Sequence, residues 1–314
     1  METLLTSFSA VGLILLMVIT GYIFSSLSWA GKQHKDLIVK LILNLAVPCM
    51  CVPNMLETFD PSLLDKSGAL LIAPVLAVIF TALFAVLLAR ILKIEKRRFG
   101  GFAVMCGLSN SLFIGLPMCT ELFGQQAAPY VMFYYMANTF VFWTLGAVLL
   151  YKSGSSDEKF GVRRMIRSLA NPPLIALVIA IVLAFLRVEI PHIAMRFCEY
   201  MGDLVSPLAL FFVGMVIHET GFKFSIKTNG RDMLLILLMR FVLSPLIMLL
   251  FCELFSITDI PRSVFIIEAA MPVMTQSVVV STAANADDKY TAMGMSITTL
   301  FCFAAIPILM TFIA

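Results

Sequence analysis

Residues 107–117 read Gly-Leu-Ser-Asn-Ser-Leu-Phe-Ile-Gly-Leu-Pro, and residues 268–277 read Glu-Ala-Ala-Met-Pro-Val-Met-Thr-Gln-Ser. Each stretch interrupts a long apolar run with polar residues and Pro, the first also with Gly. Pro removes a backbone donor and Gly admits dihedrals closed to other residues, so both runs are expected to unwind partway along. The surrounding chain decides what kind of fold this is. Of 314 residues, 61% are hydrophobic and 13% charged, with a mean hydropathy of +0.99. Soluble domains are roughly 45–50% apolar and roughly 25% charged. A soluble fold of this length could not bury so much apolar surface, so lipid is the solvent for most of it. Unwinding at membrane depth exposes backbone groups that lipid cannot satisfy, and these must face protein, water or a ligand.

Working outward, the sequence predicts an all-α membrane protein of ten spans, each near the roughly 20 residues a bilayer needs. They run about 4–27, 36–56, 67–92, 101–123, 127–151, 172–187, 193–218, 231–254, 262–284 and 289–313. The sixth is short, and the fourth and ninth are the interrupted ones. Basic residues set the orientation. Loops after odd spans hold Lys32, Lys35, Lys40, Arg90, Lys93, Lys96, Arg97, Arg98, Lys152, Lys159, Arg163, Arg164, Arg167, Lys223, Lys227, Arg231 and Lys289, against Lys66, Arg187, Arg196 and Arg262 in the others. That bias of 17 to 4 predicts odd loops in the cytoplasm and both termini outside.

The longest loop, 152–171, separates a first half (1–151) from a second (172–314). An odd number of spans per half forces the halves into opposite orientations, the arithmetic of an inverted repeat. Asn44-Leu-Ala-Val-Pro48 in span 2 matches Asp203-Leu-Val-Ser-Pro207 in span 7 in spacing and position, and spans 4 and 9 also correspond.

Other classes find little support. Cys49, Cys51, Cys106, Cys119, Cys198, Cys252 and Cys302 show no disulfide or zinc spacing and read as free, apolar-facing thiols. His34, His192 and His218 form no metal motif, and no phosphate-binding G-x-x-x-x-G-K-[ST] loop appears. The N-terminus lacks the basic region of a cleavable signal peptide, and its first apolar run is long enough to span. No nucleophile–base pair is visible. The expectation is a carrier rather than an enzyme, with no cofactor and no nucleic-acid partner.

Paired broken spans are the sequence mark of a transporter site, because half-helix N-termini attract anions. Asn110, Thr275 and Gln276 would add neutral hydrogen bonds, with Ser109, Ser111, Pro272 and Ser277 beside them. The plain alternative is a pair of Pro kinks with no ligand. Arg240, deep in span 8, should face the bundle interior. It would serve as counter-ion to a substrate carboxylate or pair structurally with Glu199, Asp203 or Glu268. Asp203 or Glu268 would hold a coupling proton or Na⁺, and Asn44 would join this coupling or gating set. Asn138 in span 5 and Thr298 in span 10 correspond in the repeat; either could line the cavity, though helix packing is the commoner use of such residues. Tyr134, Tyr135, Phe140 and Trp143 read as lipid- or interface-facing rather than as a substrate box.

Asn110-Ser-Leu-Phe-Ile-Gly-Leu-Pro117 resembles the fourth-helix motif of the auxin efflux carrier family, and Ala269–Pro272 with Ala292–Pro307 resembles its ninth and tenth helices. Asn44–Pro48, Asn171-Pro172-Pro173 and Pro207–Gly214 also fit, so the likeness covers nearly the whole chain. It implies two inverted five-helix repeats, a scaffold of helices 1, 2, 6 and 7, and a transport domain of helices 3–5 and 8–10 in which helices 4 and 9 cross. It implies a homodimer through the scaffold, a plasma- or inner-membrane location, and carboxylate substrates such as malonate, malate or an auxin-like acid. Plant carriers place Pro where this chain has Ser109 and Ser277, so here the breaks fall to Gly107, Gly115–Pro117 and Pro272. The short central loop favours malonate- or malate-like substrates. A second expectation follows the plan of the bile acid–sodium symporters, with Na⁺ among Asn110, Ser111, Glu268 and Gln276. A substrate-gated channel or sensor is the expectation from another class.

Overall fold

The computed structural model describes the backbone of residues 2–57, 64–156, 160–220 and 226–313. Lys159 and Lys223 of the loop count lie outside the described residues, as do the side chains of Lys32, Lys66 and Lys227. Among the described residues the regular elements are helices, apart from one isolated β-bridge. In chain order they are α1 (Glu2–Ser26), α2 (Gln33–Leu56), α3 (Leu64–Ile91), α4 (Lys96–Gly107), α5 (Ser111–Phe123), α6 (Gln125–Ser153) and α7 (Val162–Leu169). Then come α8 (Pro172–Phe185), α9 (His192–Glu219), α10 (Gly230–Leu254), α11 (Asp259–Ala269), α12 (Gln276–Ala283) and α13 (Asp288–Ile313).

Seven of these, α1, α2, α3, α6, α9, α10 and α13, are long and apolar enough to cross a membrane. The bent pair α7–α8 would make an eighth. The sequence predicts ten spans, and the difference has a physical origin. The expected fourth and ninth spans are each split into two short helices, α4/α5 and α11/α12, by backbone that leaves the helix. The expected sixth, α8, has only 14 residues. It starts where the sequence dictates: Asn171 Oδ1 accepts from Leu174 N at 3.0 Å as the N-cap, and Pro172 and Pro173 fill the first turn, where no N–H is needed.

Four helices contain one widened π-type turn, at Ile42–Ala46, Ser111–Gly115, Phe142–Gly146 and Met239–Leu243. Such turns insert a residue and re-aim neighbouring side chains, and they recur at functional sites. Here one opens α5 and another carries Arg240.

Close helix approach depends on small residues, as expected where lipid supplies no hydrophobic drive between helices. Helices α1 and α9 pack through Gly21, which sits on the Phe211 carbonyl, and Gly214, which sits on the Val18 carbonyl. A Cβ at Gly214 would lie 2.7 Å from Tyr22 N. The outward surface carries Leu16, Ile72, Leu87, Ile179, Leu250 and Phe312, all exposed, which suits hydrocarbon and not water.

Polar contacts tie together the helix ends that the basic-residue count assigns to one side. Ser25 Oγ meets His218 Nδ1 at 3.1 Å, Arg98 Nε donates to Asp287 Oδ2 at 2.8 Å, and Asn285 Nδ2 donates to Ser155 Oγ at 2.7 Å. Arg262 pairs with Glu253 at 3.0 Å, joining two ends assigned to the opposite side.

Candidate functional site

Between Gly107 and Ser111, and again between Ala269 and Gln276, the chain leaves the helix. The two linkers pair as an antiparallel bridge at Ser109 and Val273. Asn110 N donates to the Pro272 carbonyl at 2.8 Å. Two broken helices therefore meet by backbone pairing, which satisfies groups that would otherwise be orphaned in the interior.

A side chain from a neighbouring helix holds each linker. Asn138 of α6 accepts from Ser109 N at 3.1 Å through Oδ1 and donates to Ser109 O at 2.8 Å through Nδ2. Thr298 of α13 accepts from Val273 N at 3.0 Å. Both residues serve the backbone, and neither lines the cavity described below.

Arg240, fully buried, reaches the same place from the wide turn of α10. Its Nε donates to Met271 O at 3.0 Å, Nη2 to Met271 O at 2.6 Å and Ala269 O at 2.9 Å, and Nη1 to Cys106 O at 3.4 Å. Cys106 and Ala269 lie at the C-terminal ends of α4 and α11, whose last carbonyls lack intrahelical donors and carry partial negative charge. The expected ion pairs with Glu199, Asp203 or Glu268 are not formed: carbonyl ends supply the negative potential that a carboxylate would otherwise supply. Glu199 lies 3.8 Å from Arg196 instead, and Asp203 is exposed.

Glu268 is fully buried over Gly115, where a Cβ would collide with its carboxylate. Cys119 Sγ donates to Glu268 Oε1 at 3.5 Å, and Oε2 has no hydrogen-bond partner among the described residues. Ser111 Oγ is a second buried atom without one.

A cavity of about 170 Å³ opens beside the crossing. Its polar wall is Asn110, Ser111, Thr275 and Gln276, with Tyr135 of α6 and Ser168 and Asn171 at the α7–α8 junction. Val39, Leu43, Phe113, Phe212, Met274 and Val279 make much of the apolar wall. No lining residue is charged. Asn110 stands at the centre: Nδ2 donates to Thr275 Oγ1 at 3.1 Å, and Oδ1 accepts from Phe113 N at 3.4 Å. The N-termini of α5 and α12 thus both begin on the cavity wall; Phe113 N is held by Asn110 Oδ1, and Ser277 N and Val278 N donate to Met274 O and Thr275 O at 3.1 and 3.2 Å.

The sequence-predicted set divides. Asn110, Ser111, Thr275 and Gln276 come together on the cavity. Ser109, Pro272 and Ser277 form the crossing behind it, Ser109 Oγ meeting Tyr134 OH at 3.3 Å and Ser277 Oγ donating to Met274 O at 2.6 Å. Asn44 Nδ2 donates to Lys40 O at 2.9 Å within its own helix. Arg240, Asp203 and Glu268 do not line the cavity. Two aromatic expectations are corrected: Tyr134 is fully buried and Tyr135 lines the cavity, its OH donating to Asn171 Oδ1 at 3.4 Å. A helix packed on several sides hides aromatics that composition alone assigns to lipid. Phe140 is exposed and Trp143 half-buried. Ser168, Asn171 and Phe212 were not anticipated as lining. Only the Asn-Pro-Pro start of α8 offered a signal, and it reads first as a helix cap.

Discontinuous helices meeting inside an apolar bundle, with a polar cavity at their N-termini, are the arrangement expected of a membrane transport protein. Comparison with known families agrees. The family described as "Membrane transport protein" matches residues 6–310. The chain belongs to this family, the auxin efflux carrier family that its motifs resemble. It is 23% identical over 298 residues to an uncharacterised transporter of Methanocaldococcus jannaschii, covering 94% of each chain. It is 24% identical over 300 residues to an uncharacterised transporter of Methanothermobacter thermautotrophicus, again covering 94% of each.

Proposed function

We propose that this protein is a carrier of a small organic anion, a carboxylate, which binds at the crossing of the two broken helices. One observation carries the reading: the N-termini of α5 and α12 open onto one cavity, joined by the Asn110–Thr275 bond, while Arg240 occupies the carbonyl ends of α4 and α11. The positive poles, where Ser111, Leu112 and Gln276 begin the two helices, face the cavity, and the negative poles are neutralised. A carboxylate would take N–H groups at the α5 and α12 termini, with Asn110, Ser111, Thr275 and Gln276 around it.

The cavity's size narrows the substrate. It is comparable with the ~150 Å³ that holds a benzene ring, so a steroid acid would need a rearranged site. The apolar wall of Val39, Leu43, Phe113 and Phe212 suits a monocarboxylate with an apolar body better than malonate or malate, whose second carboxylate would face hydrocarbon.

Transport would follow alternating access, with α3–α6 and α10–α13 moving against a scaffold of α1, α2, α8 and α9. The matched duties of Asn138 and Thr298, one holding each linker, support an inverted ten-span repeat. With odd loops in the cytoplasm and both termini outside, Ser168 and Asn171 would form the cytoplasmic end of the cavity wall. A homodimer through the scaffold and a plasma- or inner-membrane location complete the reading. Coupling to H⁺ or Na⁺ is favoured by Glu268, whose Oε2 is buried without a partner among the described residues.

The test is counterflow in proteoliposomes against a panel of mono- and dicarboxylates, repeated under Na⁺ and pH gradients. Saturable exchange of a small carboxylate supports the reading. Flux that does not saturate would indicate a channel, and no exchange across the panel would overturn the anion assignment.

A further inference from the structure

We infer that helix α7 is a docking site for anionic phospholipid, tying one wall of the cavity to the membrane surface. Three observations carry this. First, α7 divides cleanly at helical spacing: Val162, Met165, Ile166 and Leu169 fall on one face, and Arg163, Arg164, Arg167 and Ser168 on the other. Second, the described residues leave Val162 and Ile166 of the apolar face open, with Met165 and Leu169 half-buried. Val162 is 67% exposed and Ile166 59%, and no residue of α7 is buried. An eight-residue helix that leaves Val162 and Ile166 in water gains little from folding, and acyl chains at the membrane boundary would cover them. Third, α7 is bent by 58° from α8, so it leaves the line of the bundle helix where the membrane surface would lie.

A short basic amphipathic helix at the boundary rests its apolar face among acyl chains and meets lipid phosphates with its arginines. The local chemistry fits. Arg164 stacks over the Tyr151 ring at 5.2 Å, the kind of aromatic–cation pairing found at interfaces. Phe160, just before the helix, stacks on Trp143 with centroids 6.0 Å apart and fixes its entry. Guanidinium groups donate bidentately to phosphate oxygens, and the net negative charge of an anionic headgroup favours it over a zwitterionic one.

Position gives the contact a consequence. Ser168 in the last turn of α7 and Asn171 just after it both line the cavity. Lipid held by Arg163 and Arg167 would therefore fix the α7–α8 bend and the two polar residues on the cavity wall. This inference stands whether or not the cavity takes a carboxylate.

The test uses the full-length protein in nanodiscs of phosphatidylcholine alone or with phosphatidylglycerol, and compares wild type with the double variant Arg163→Gln/Arg167→Gln. Two readouts are taken: phosphatidylglycerol retained against phosphatidylcholine by native mass spectrometry, and the thermal midpoint. Each basic residue near an anionic surface contributes roughly a fivefold preference, so the double variant is expected to lose at least about tenfold in selective retention and most of the phosphatidylglycerol-induced rise in midpoint. Its midpoint in phosphatidylcholine should match wild type, since both arginines are exposed. Ile166→Asp, with all arginines kept, should also weaken retention. Equal retention by wild type and the double variant would overturn the proposal. So would a wild-type preference for a soluble acidic polypeptide with no response to phosphatidylglycerol.

Discussion

Asn110 of the first broken helix donates its side-chain amide to Thr275 of the second at 3.1 Å, although 165 residues separate them. The same Asn accepts from Phe113 N and donates its backbone N–H to Pro272. One residue therefore caps α5, anchors the crossing and faces the cavity. An Asn does this well because its amide donates and accepts at once.

The linker clamps are unequal, and stability should reflect it. Asn138→Ala orphans both the N–H and the carbonyl of Ser109, whereas Thr298→Val orphans only Val273 N. At about 1–3 kcal/mol per buried orphan, Asn138→Ala should lower the detergent-solubilised thermal midpoint further than Thr298→Val. Equal losses would mean the clamps do not carry the crossing.

Arg240 should behave as a brace. Arg240→Met leaves the carbonyls of Cys106, Ala269 and Met271 without its donors, again about 1–3 kcal/mol each. Arg240→Lys keeps the charge and loses the fork, so it should recover part of that stability. Folded Arg240→Lys protein should bind substrate with near wild-type affinity. Collapse of affinity at unchanged stability would instead make Arg240 the substrate's counter-ion.

The α1–α9 seam offers a packing test. A Cβ at Gly214 would drive into the Val18 carbonyl and lie 2.7 Å from Tyr22 N. Backbone cannot yield as a side chain tip can, so Gly214→Leu should separate the helices and lower the thermal midpoint sharply. Gly12→Ala, with no atom within 4 Å of its added Cβ, should leave it unchanged. Similar midpoints for both variants would contradict the close-packed seam.

Glu268 separates coupling from binding. Glu268→Gln preserves shape beside Gly115 and Cys119 but removes an ionisable oxygen. Counterflow, which needs no gradient, should persist, while gradient-driven accumulation should fall to the level without a gradient. Intact accumulation under H⁺ and Na⁺ gradients would assign Glu268 to packing alone.

Composition made lipid the solvent, and Gly107 and Pro272 marked where the helices fail; the break expected at Gly115–Pro117 is not one, because that stretch stays helical inside α5 behind its widened turn. Those signals are local, and so they were legible. The fate of Arg240 was not, because its partners are main-chain carbonyls, which have no letter in the sequence. Tyr135 and Asn171 were missed as cavity residues for a related reason: they belong to helices that meet only in three dimensions. Ser109 was placed at the right break but on its far side, since adjacent residues in an extended linker point to opposite faces, and Ser277, in the first turn of α12, is turned from the cavity onto Met274 O.

The central claim is that substrate binds where α5 and α12 begin. It is tested most directly by counterflow of a small monocarboxylate in proteoliposomes carrying wild type or Asn110→Ala, with thermal midpoints measured in parallel. The account predicts saturable exchange by wild type and exchange at the empty-liposome level for a folded Asn110→Ala. Wild-type exchange by that variant would contradict it.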